Sequence, residues 1–302
     1  MKVGTTDGPV KWLAERFGAV AVSPETTQVL LVHQTVVDVD FLQSYPALRG
    51  IIRLGVGYDK VDLSACQAHN IDVANIPDYC TEEVALSAVA FALDWARGHA
   101  ELEGALQVNP EPWQALSLAR VKGISQLTFG VIGVGRIGGR ALDLAAGLGF
   151  QVAGYDTDPA RCVGVDSLDA LLAGADVVSL HVPLADGTRG MLDKDFFQRM
   201  RPGSLIINTA RGGLLGDSHA LIAALERGWL SGAALDVLPE EPQVQDSPVF
   251  RHWHLRNAGR LRITPHNAFH SQASSLRLLE FAGAEVEHLV AHGRFKNSLC
   301  KS

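Results

Sequence analysis

The sequence predicts an α/β protein built on doubly wound parallel sheets, and three observations carry that prediction. Short apolar runs alternate with stretches of helical period along most of the chain. One such run leads through Gly133-Val134-Gly135-Arg136-Ile137-Gly138 into a helical stretch, the strand–turn–helix setting in which three glycines cradle a dinucleotide. The chain's 302 residues exceed what one hydrophobic core usually serves, so two domains are expected.

In chain order, residues 2–5, 19–22, 29–32, 50–53 and 71–74 read as strands, with helical stretches at 10–17, 40–45 and 63–69. These form a domain of their own. A long helix is expected after Pro77-Asp78-Tyr79-Cys80-Thr81, with Asp78 or Thr81 as the cap and Glu82 and Glu83 at its positive end. Its body, 84–95, is apolar nearly all round, so it is expected to lie buried between domains. Residues 102–123, with Pro110, Pro112 and Trp113, fit neither a strand nor a regular helix and read as a linker or arm. The strand at 127–132, the helix at 140–148 and the strand at 151–155 follow. Further strands are expected at 175–181, 204–209, 233–237 and 262–264, separated by helices at 168–172, 194–200 and 218–228. Right-handed crossovers then give a parallel sheet with ligands at the carboxyl ends of its strands.

Each glycine of the turn has a physical reason. Gly133 permits the tight turn, Gly135 removes the Cβ that would hold the backbone off a pyrophosphate, and Gly138 lets helix and strand pack closely. The phosphates are expected on the N–H groups and positive end of that helix. Asp156 ends the next strand roughly 20 residues further on, where an acidic side chain accepts from the ribose hydroxyls. Taken singly Asp156 is an ordinary turn aspartate; together with the glycines it points to NAD.

Composition excludes several classes. A formal charge of −7 argues against a nucleic-acid partner, which would call for a basic face, and no apolar run approaches the roughly 18 residues of a membrane span. The N-terminus reads as a strand rather than a signal peptide. The cysteines, Cys66, Cys80, Cys162 and Cys300, show no metal or redox spacing. A cytoplasmic protein without a metal is expected.

The late strand ends carry candidate chemistry. Asn208-Thr209-Ala210-Arg211-Gly212-Gly213 puts an arginine past one strand, Asp236-Val237-Leu238-Pro239-Glu240-Glu241-Pro242 puts carboxylates past the next, and Thr264-Pro265-His266 puts a histidine past the third. Each alone has an ordinary structural reading. Three of them at successive strand ends of one dinucleotide sheet point to a site.

With Gly55-Val56-Gly57-Tyr58-Asp59 and His181-Val182-Pro183-Leu184, these segments resemble the D-isomer-specific 2-hydroxyacid dehydrogenase family over almost the whole chain. The resemblance implies a Rossmann NAD domain, residues 99–269, inserted into a flavodoxin-like substrate domain made of 1–98 and 270–302. It implies a homodimer, with the segment around Trp113 as the dimerisation arm. It further implies that Arg211 binds the substrate, that His266 is the acid/base and that Glu241, immediately before the proline, orients it. Glu240 is the neighbour to be distinguished from it. Cofactor contacts fall to Gly133, Gly135, Arg136, Ile137, Gly138, Asp156, His181, Pro183, Thr209, Ala210 and Asp236, and the N–H groups of Val56 and Gly57 would hold the substrate carboxylate.

The implied reaction interconverts a small 2-oxo acid and its D-2-hydroxy acid with NAD, and the two domains are expected to close around it. The segments at 55–62 and 77–83 are similar to the branch that includes the C-terminal-binding-protein corepressors, where Phe269 replaces a tryptophan. That gives a rival reading as an NAD(H) sensor acting through protein partners. No partner-binding extension around the core is expected, which favours the enzyme, and the short stretch after His266 leads to the expectation of no appended regulatory domain. A formate dehydrogenase, which has glutamine in place of Glu241, is disfavoured. Candidates for substrate choice are His33, Gln34, Arg53, Tyr58, Tyr79, Cys80 and Phe269.

Overall fold

The computed structural model describes residues 2–6, 23–109, 113, 117, 118 and 120–300, apart from the side chain of Trp253. The chain divides into two compact units, Met1–Cys80 with His270–Ser302, and Thr81–Phe269. The helix expected at 10–17, the strand expected at 19–22 and most of the segment around Trp113 lie outside the described residues.

In the first unit β1 (Val3–Thr5), β2 (Val29–Val32), β3 (Gly50–Arg53) and β4 (Asp72–Asn75) form a parallel sheet in that order. Two short helices, α1 (Val39–Gln43) and α2 (Leu63–Ala68), are each started by an aspartate. Asp38 accepts from Phe41 N and Asp62 from Ala65 N, both at 2.9 Å, supplying a partner for an N–H that the first turn leaves unpaired. Leu30, Val32, Ile51 and Val73 bury one sheet face against Leu42, Ala65 and Cys66.

In the second unit all strands are again parallel, in the order β10-β9-β8-β7-β5-β6. They are β5 (Thr128–Ile132), β6 (Gln151–Tyr155), β7 (Val177–Leu180), β8 (Ser204–Asn208), β9 (Leu230–Leu235) and β10 (Leu261–Ile263). The strands are apolar on both faces because both are covered. Phe129, Val131, Val177, Leu205, Ile207 and Ala234 face α3 (Thr81–Arg97) and α5 (Arg136–Gly147). Ile132, Val178, Leu180, Ile206, Ala233 and Leu235 face α6 (Leu168–Gly174), α7 (Lys194–Arg199) and α8 (Ser218–Glu226). The period-2 alternation of a strand divides one run between two cores. The chain leaves β5 toward β6 and then returns to lay β7 on the other side of β5, so the loops after β5 and β7 diverge at a topological switch point.

Two expectations need correction, and one boundary is drawn differently by the compact units. The long helix is α3, and it begins at Thr81 itself; Thr81 Oγ1 is buried and has no hydrogen-bond partner among the described residues, so Thr81 is no cap. The domain boundary expected near Gly98 falls one helix later than the division at Cys80, because Ala85, Ala88, Val89, Ala92 and Ala96 share an apolar cluster with Phe129, Val131 and Ala141. Residues expected to be irregular include a second helix, α4 (His99–Val108), which starts from Gly98 at φ 65°. Gly104 weakens its intrinsic propensity, yet a Cβ there would overlap Asn257 O, so the glycine serves close packing. Two short helices, α9 (Pro248–Arg251) and α10 (Trp253–Asn257), and the long α11 (Gln272–His292) complete the described α-helices. α11 opens on a Ser271/Ser274 capping box. Buried Glu285 accepts from Lys296 N (2.9 Å) and Asn297 Nδ2 (2.6 Å), which returns the chain so that Leu299 N reaches Val73 O on β4 at 2.7 Å.

Candidate active site

The glycine turn has the geometry its sequence implies. Gly133 sits at φ 93°, and a Cβ there would come within 2.8 Å of His181 O, so the loops after β5 and β7 meet at this residue. A Cβ on Gly138 would overlap Gly133 O and lie 2.9 Å from Val131 Cγ1, which fixes the approach of α5 to β5. Gly135 is different: a Cβ there meets nothing within 4 Å. It stands at the N-cap of α5 in extended conformation with no side-chain cap, whereas α6, α7 and α8 are capped by Ser167, Asp193 and Asp217. The positive end of α5 thus opens over a backbone kept bare.

Asp156 turns back on the same loop. Its Oδ2 accepts from Val134 N (2.9 Å) and its Oδ1 from Asp158 N (3.0 Å). Arg161, the nearest downstream cation, pairs with Asp158 at 3.3 Å. His181 is half-buried; its Nε2 lies 2.9 Å from the Oγ of fully buried Ser179, and burial pushes its imidazole down to about 4, so it is neutral near pH 7.

Past β8, Asn208 is fully buried and ties the turn together. Its Oδ1 accepts from Ala210 N (3.0 Å) and its Nδ2 donates to Arg211 O (2.9 Å). Arg211 Nη1 donates to Ala210 O at 2.7 Å. Gly212 follows because a Cβ would overlap Leu238 O, so the arginine loop lies against the Glu241 loop. Thr209 Oγ1 is buried with no hydrogen-bond partner among the described residues, a polar atom that the cofactor's own polar groups could satisfy.

Past β9 and β10 the carboxylate and the histidine meet. His266 Nδ1 lies 2.6 Å from Glu241 Oε2, while Glu241 Oε1 accepts from Leu238 N at 2.8 Å. Both oxygens are engaged, which fixes the carboxylate. Among the described residues His266 Nε2 makes no hydrogen bond, and about a third of the side chain is exposed. Glu240 is separate from this pair: its Oε1 accepts from Ser218 Oγ at 3.1 Å.

His266 has φ 50°, a left-handed conformation that costs a non-glycine residue about 1–3 kcal/mol unless its surroundings impose it. They do impose it. His266 N donates to Asp236 O (2.8 Å) and Thr264 O (3.0 Å). The buried Asp236 carboxylate accepts from Thr264 Oγ1 (2.6 Å), Asn267 N (3.0 Å) and Ala268 N (2.9 Å). Three of its roughly four acceptor positions therefore hold the histidine turn, a role that sequence reasoning missed. Asn208, Gly212 and Thr264 were missed as well. Asn208 was findable, since an asparagine leading a turn commonly bonds the backbone two residues on.

Arg211, Glu241, His266 and the proposed cofactor residues all belong to the second unit; Val56 and Gly57 belong to the first. Among the described residues no group of histidine, cysteine, aspartate or glutamate is arranged to hold a metal, and no helix is long and apolar enough to cross a membrane.

Residues 89–268, more than half of the chain, match the family described as D-isomer specific 2-hydroxyacid dehydrogenase, NAD binding domain. The D-3-phosphoglycerate dehydrogenase of Mycobacterium leprae (strain TN) is 34% identical over 296 residues, which are 96% of this chain and 52% of that protein. The chain thus spans about half the length of the curated relatives it matches. The crystal structure of a D-lactate dehydrogenase from Aquifex aeolicus, complexed with NAD and lactic acid, aligns over all of both chains with 26% identity and a TM-score of 0.84. An NADPH-dependent glyoxylate/hydroxypyruvate reductase from Sinorhizobium meliloti, in complex with NADP and malonate, shares the fold at 23% identity and a TM-score of 0.84, covering 99% of this chain and 96% of that one. These relatives bear on the family as a whole and lend the corepressor-like branch no specific support. By the match over its dinucleotide unit and the identity along almost its full length, the chain belongs to the D-isomer specific 2-hydroxyacid dehydrogenase family.

Proposed function

We propose that the protein interconverts a small 2-oxo acid and its D-2-hydroxy acid with NAD(H) as the hydride carrier. The observation that carries this reading is the His266–Glu241 pair, closed at 2.6 Å on Nδ1 and leaving Nε2 to a substrate. Bound at the β5 and β7 loops, the dinucleotide supplies or accepts the hydride. The bare backbone at Gly135, the uncapped start of α5 and the unpartnered Thr209 Oγ1 fit such a ligand. Backbone N–H groups of Arg136 and Ile137 would take its phosphates and Asp156 its ribose hydroxyls, with Gly133, Gly138, His181, Pro183, Thr209, Ala210 and Asp236 along its path.

The protein's own residues then manage charge. Arg211 would grip carboxylate and carbonyl oxygens with a planar fork of donors. Negative charge grows on the carbonyl oxygen during reduction, and His266 Nε2 delivers a proton to it; a donor so placed typically gives about 10²–10⁴ in rate. Glu241 keeps the ring in the tautomer and orientation for this and stabilises its cation. Val56 and Gly57, in the first unit, are proposed to offer N–H groups to the substrate carboxylate. A homodimer belongs to the same reading.

The test is NADH oxidation against a panel from glyoxylate, pyruvate and hydroxypyruvate to phenylpyruvate. At least one acid should turn over, and Arg211→Lys should lower kcat/KM sharply while NADH affinity changes little. An Arg211→Lys variant with wild-type kcat/KM removes the proposed grip. Firm NADH binding with no turnover across the panel replaces the enzyme by a sensor.

A further inference from the structure

In the first unit, consecutive peptide carbonyls past β3 are held by named donors. Arg53 Nη1 donates to Leu54 O (2.7 Å), Ile76 N to Gly55 O (3.0 Å) and Asn75 Nδ2 to Val56 O (2.6 Å). In a planar trans peptide the C=O and the following N–H point in opposite directions. The Gly55 and Val56 carbonyls both face the Asn75–Ile76 segment, so the Val56 and Gly57 N–H groups both face away from it. Among the described residues neither of those N–H groups donates to another protein group, and both residues are half-buried. The turn calls for glycine, because Gly55 has φ 150°, a conformation that L side chains rarely adopt.

Asn75 is the side chain that fixes the second of these peptides. It ends β4, is 8% exposed, and only its amide nitrogen can face a carbonyl oxygen. The geometry points to Asn75 as a positioning residue: it holds the Val56–Gly57 peptide so that two successive N–H groups converge on one carboxylate of the 2-oxo acid. Adjacent backbone N–H groups with no protein acceptor form the concave kind of anion site that successive amides provide, and N–H bonds to a carboxylate are roughly twice as strong as neutral ones. This inference rests on the proposed 2-oxo acid chemistry and deepens it. Without Asn75 the Val56 carbonyl loses its donor, the peptide can turn, and the carboxylate loses alignment; hydride and proton transfer at the neighbouring carbon are not Asn75's concern.

The experiment compares wild type with Asn75→Ala and with Asn75→Asp, which keeps the volume and replaces the donating amide by an acceptor. Oxamate is titrated into the NADH-loaded protein, and the best 2-oxo acid of the panel is compared with its methyl ester. Both variants should weaken oxamate and raise KM for the acid by about 10-fold. NADH affinity and the pH profile should stay put, kcat should change only slightly, and the ester, which lacks the carboxylate charge, should lose much less. Asn75→Asp carries the test should Asn75→Ala fail to fold, with NADH affinity reporting on folding. Unchanged oxamate affinity in a folded variant, or equal losses for acid and ester, overturns the role of Asn75 while wild-type turnover leaves the wider reading standing. Wild type that neither binds oxamate nor reduces any acid overturns both.

Discussion

Gly135 and Gly138 stand three residues apart in one fingerprint, yet alanine should do opposite things at the two positions. At Gly138 the new Cβ overlaps Gly133 O, a backbone atom, and presses Val131 Cγ1 at 2.9 Å. Neither neighbour is the mobile tip of a side chain, so α5 must move off β5. Overpacking of this kind costs about 1–3 kcal/mol, and the backbone contact argues for the upper end. At about 2–4 °C per kcal/mol for a domain of this size, the melting temperature should fall by roughly 5–10 °C. At Gly135 a Cβ meets nothing within 4 Å and the backbone, φ −84°, suits any residue. Losing glycine's unfolded-state freedom stabilises by about 0.4–1 kcal/mol, and alanine's poorer N-capping offsets that; stability should stay within about 1 kcal/mol. The Cβ would instead point where the pyrophosphate is proposed to run, so NADH affinity should drop by at least about tenfold, or 1.4 kcal/mol. Thermal melts paired with NADH fluorescence titrations read both effects. A Gly135→Ala protein that melts and binds like wild type would refute the placement of the dinucleotide over this residue.

Glu241→Gln should cut 2-oxo acid reduction by at least about tenfold, because the ring at 2.6 Å loses the carboxylate that holds its tautomer and orientation; Glu240→Gln, which still offers Ser218 an acceptor, should leave the rate in place. Matching kcat/KM for the two variants would remove Glu241 from the site. NAD(H) should be preferred over NADP(H), since Asp156 repels a 2′-phosphate and Arg161 is already paired with Asp158; equal kcat/KM with the two cofactors counts against this. His181 should make folding acid-sensitive. Its imidazole is held down to about 4, from 6.5, by burial, so the unfolded chain takes up its proton first, and stability present above about pH 6.5 is lost as pH falls through 4. Urea unfolding at pH 7 and pH 4.5 should show a smaller loss for His181→Asn than for wild type; equal losses contradict the burial argument.

The elements that position the site were legible because periodicity is local. β6 runs over Gln151–Tyr155 as its alternation implies, and β5, β7, β8, β9 and β10 begin or end within a few residues of their apolar runs. The glycine spacing and the residues past β8, β9 and β10 were legible too, since a chain crossing a parallel sheet must deliver each strand's following residue to the same edge. α4 was hidden because Pro110, Pro112 and Trp113 make the whole of 102–123 read as irregular, while what fixes its first half is packing, with Asn257 O close against Gly104. α11 carries a mixed surface, with Leu276 and Val290 half-exposed, and no single apolar stripe announces it.

What the sequence by itself determined is the class of fold and the dinucleotide turn, because these depend on neighbours within a few residues. What only the tertiary structure decided is which atoms meet across long separations. That Glu241 rather than Glu240 reaches His266, that Asp236 is occupied in bending the backbone to φ 50° at that histidine, and that Asn75 turns the Val56 peptide outward are all outcomes of packing. Each depends on hydrogen bonds between segments 19 to 32 residues apart. Such bonds form only after the sheets have set the distances, and a buried polar group then takes the partner that geometry leaves within reach.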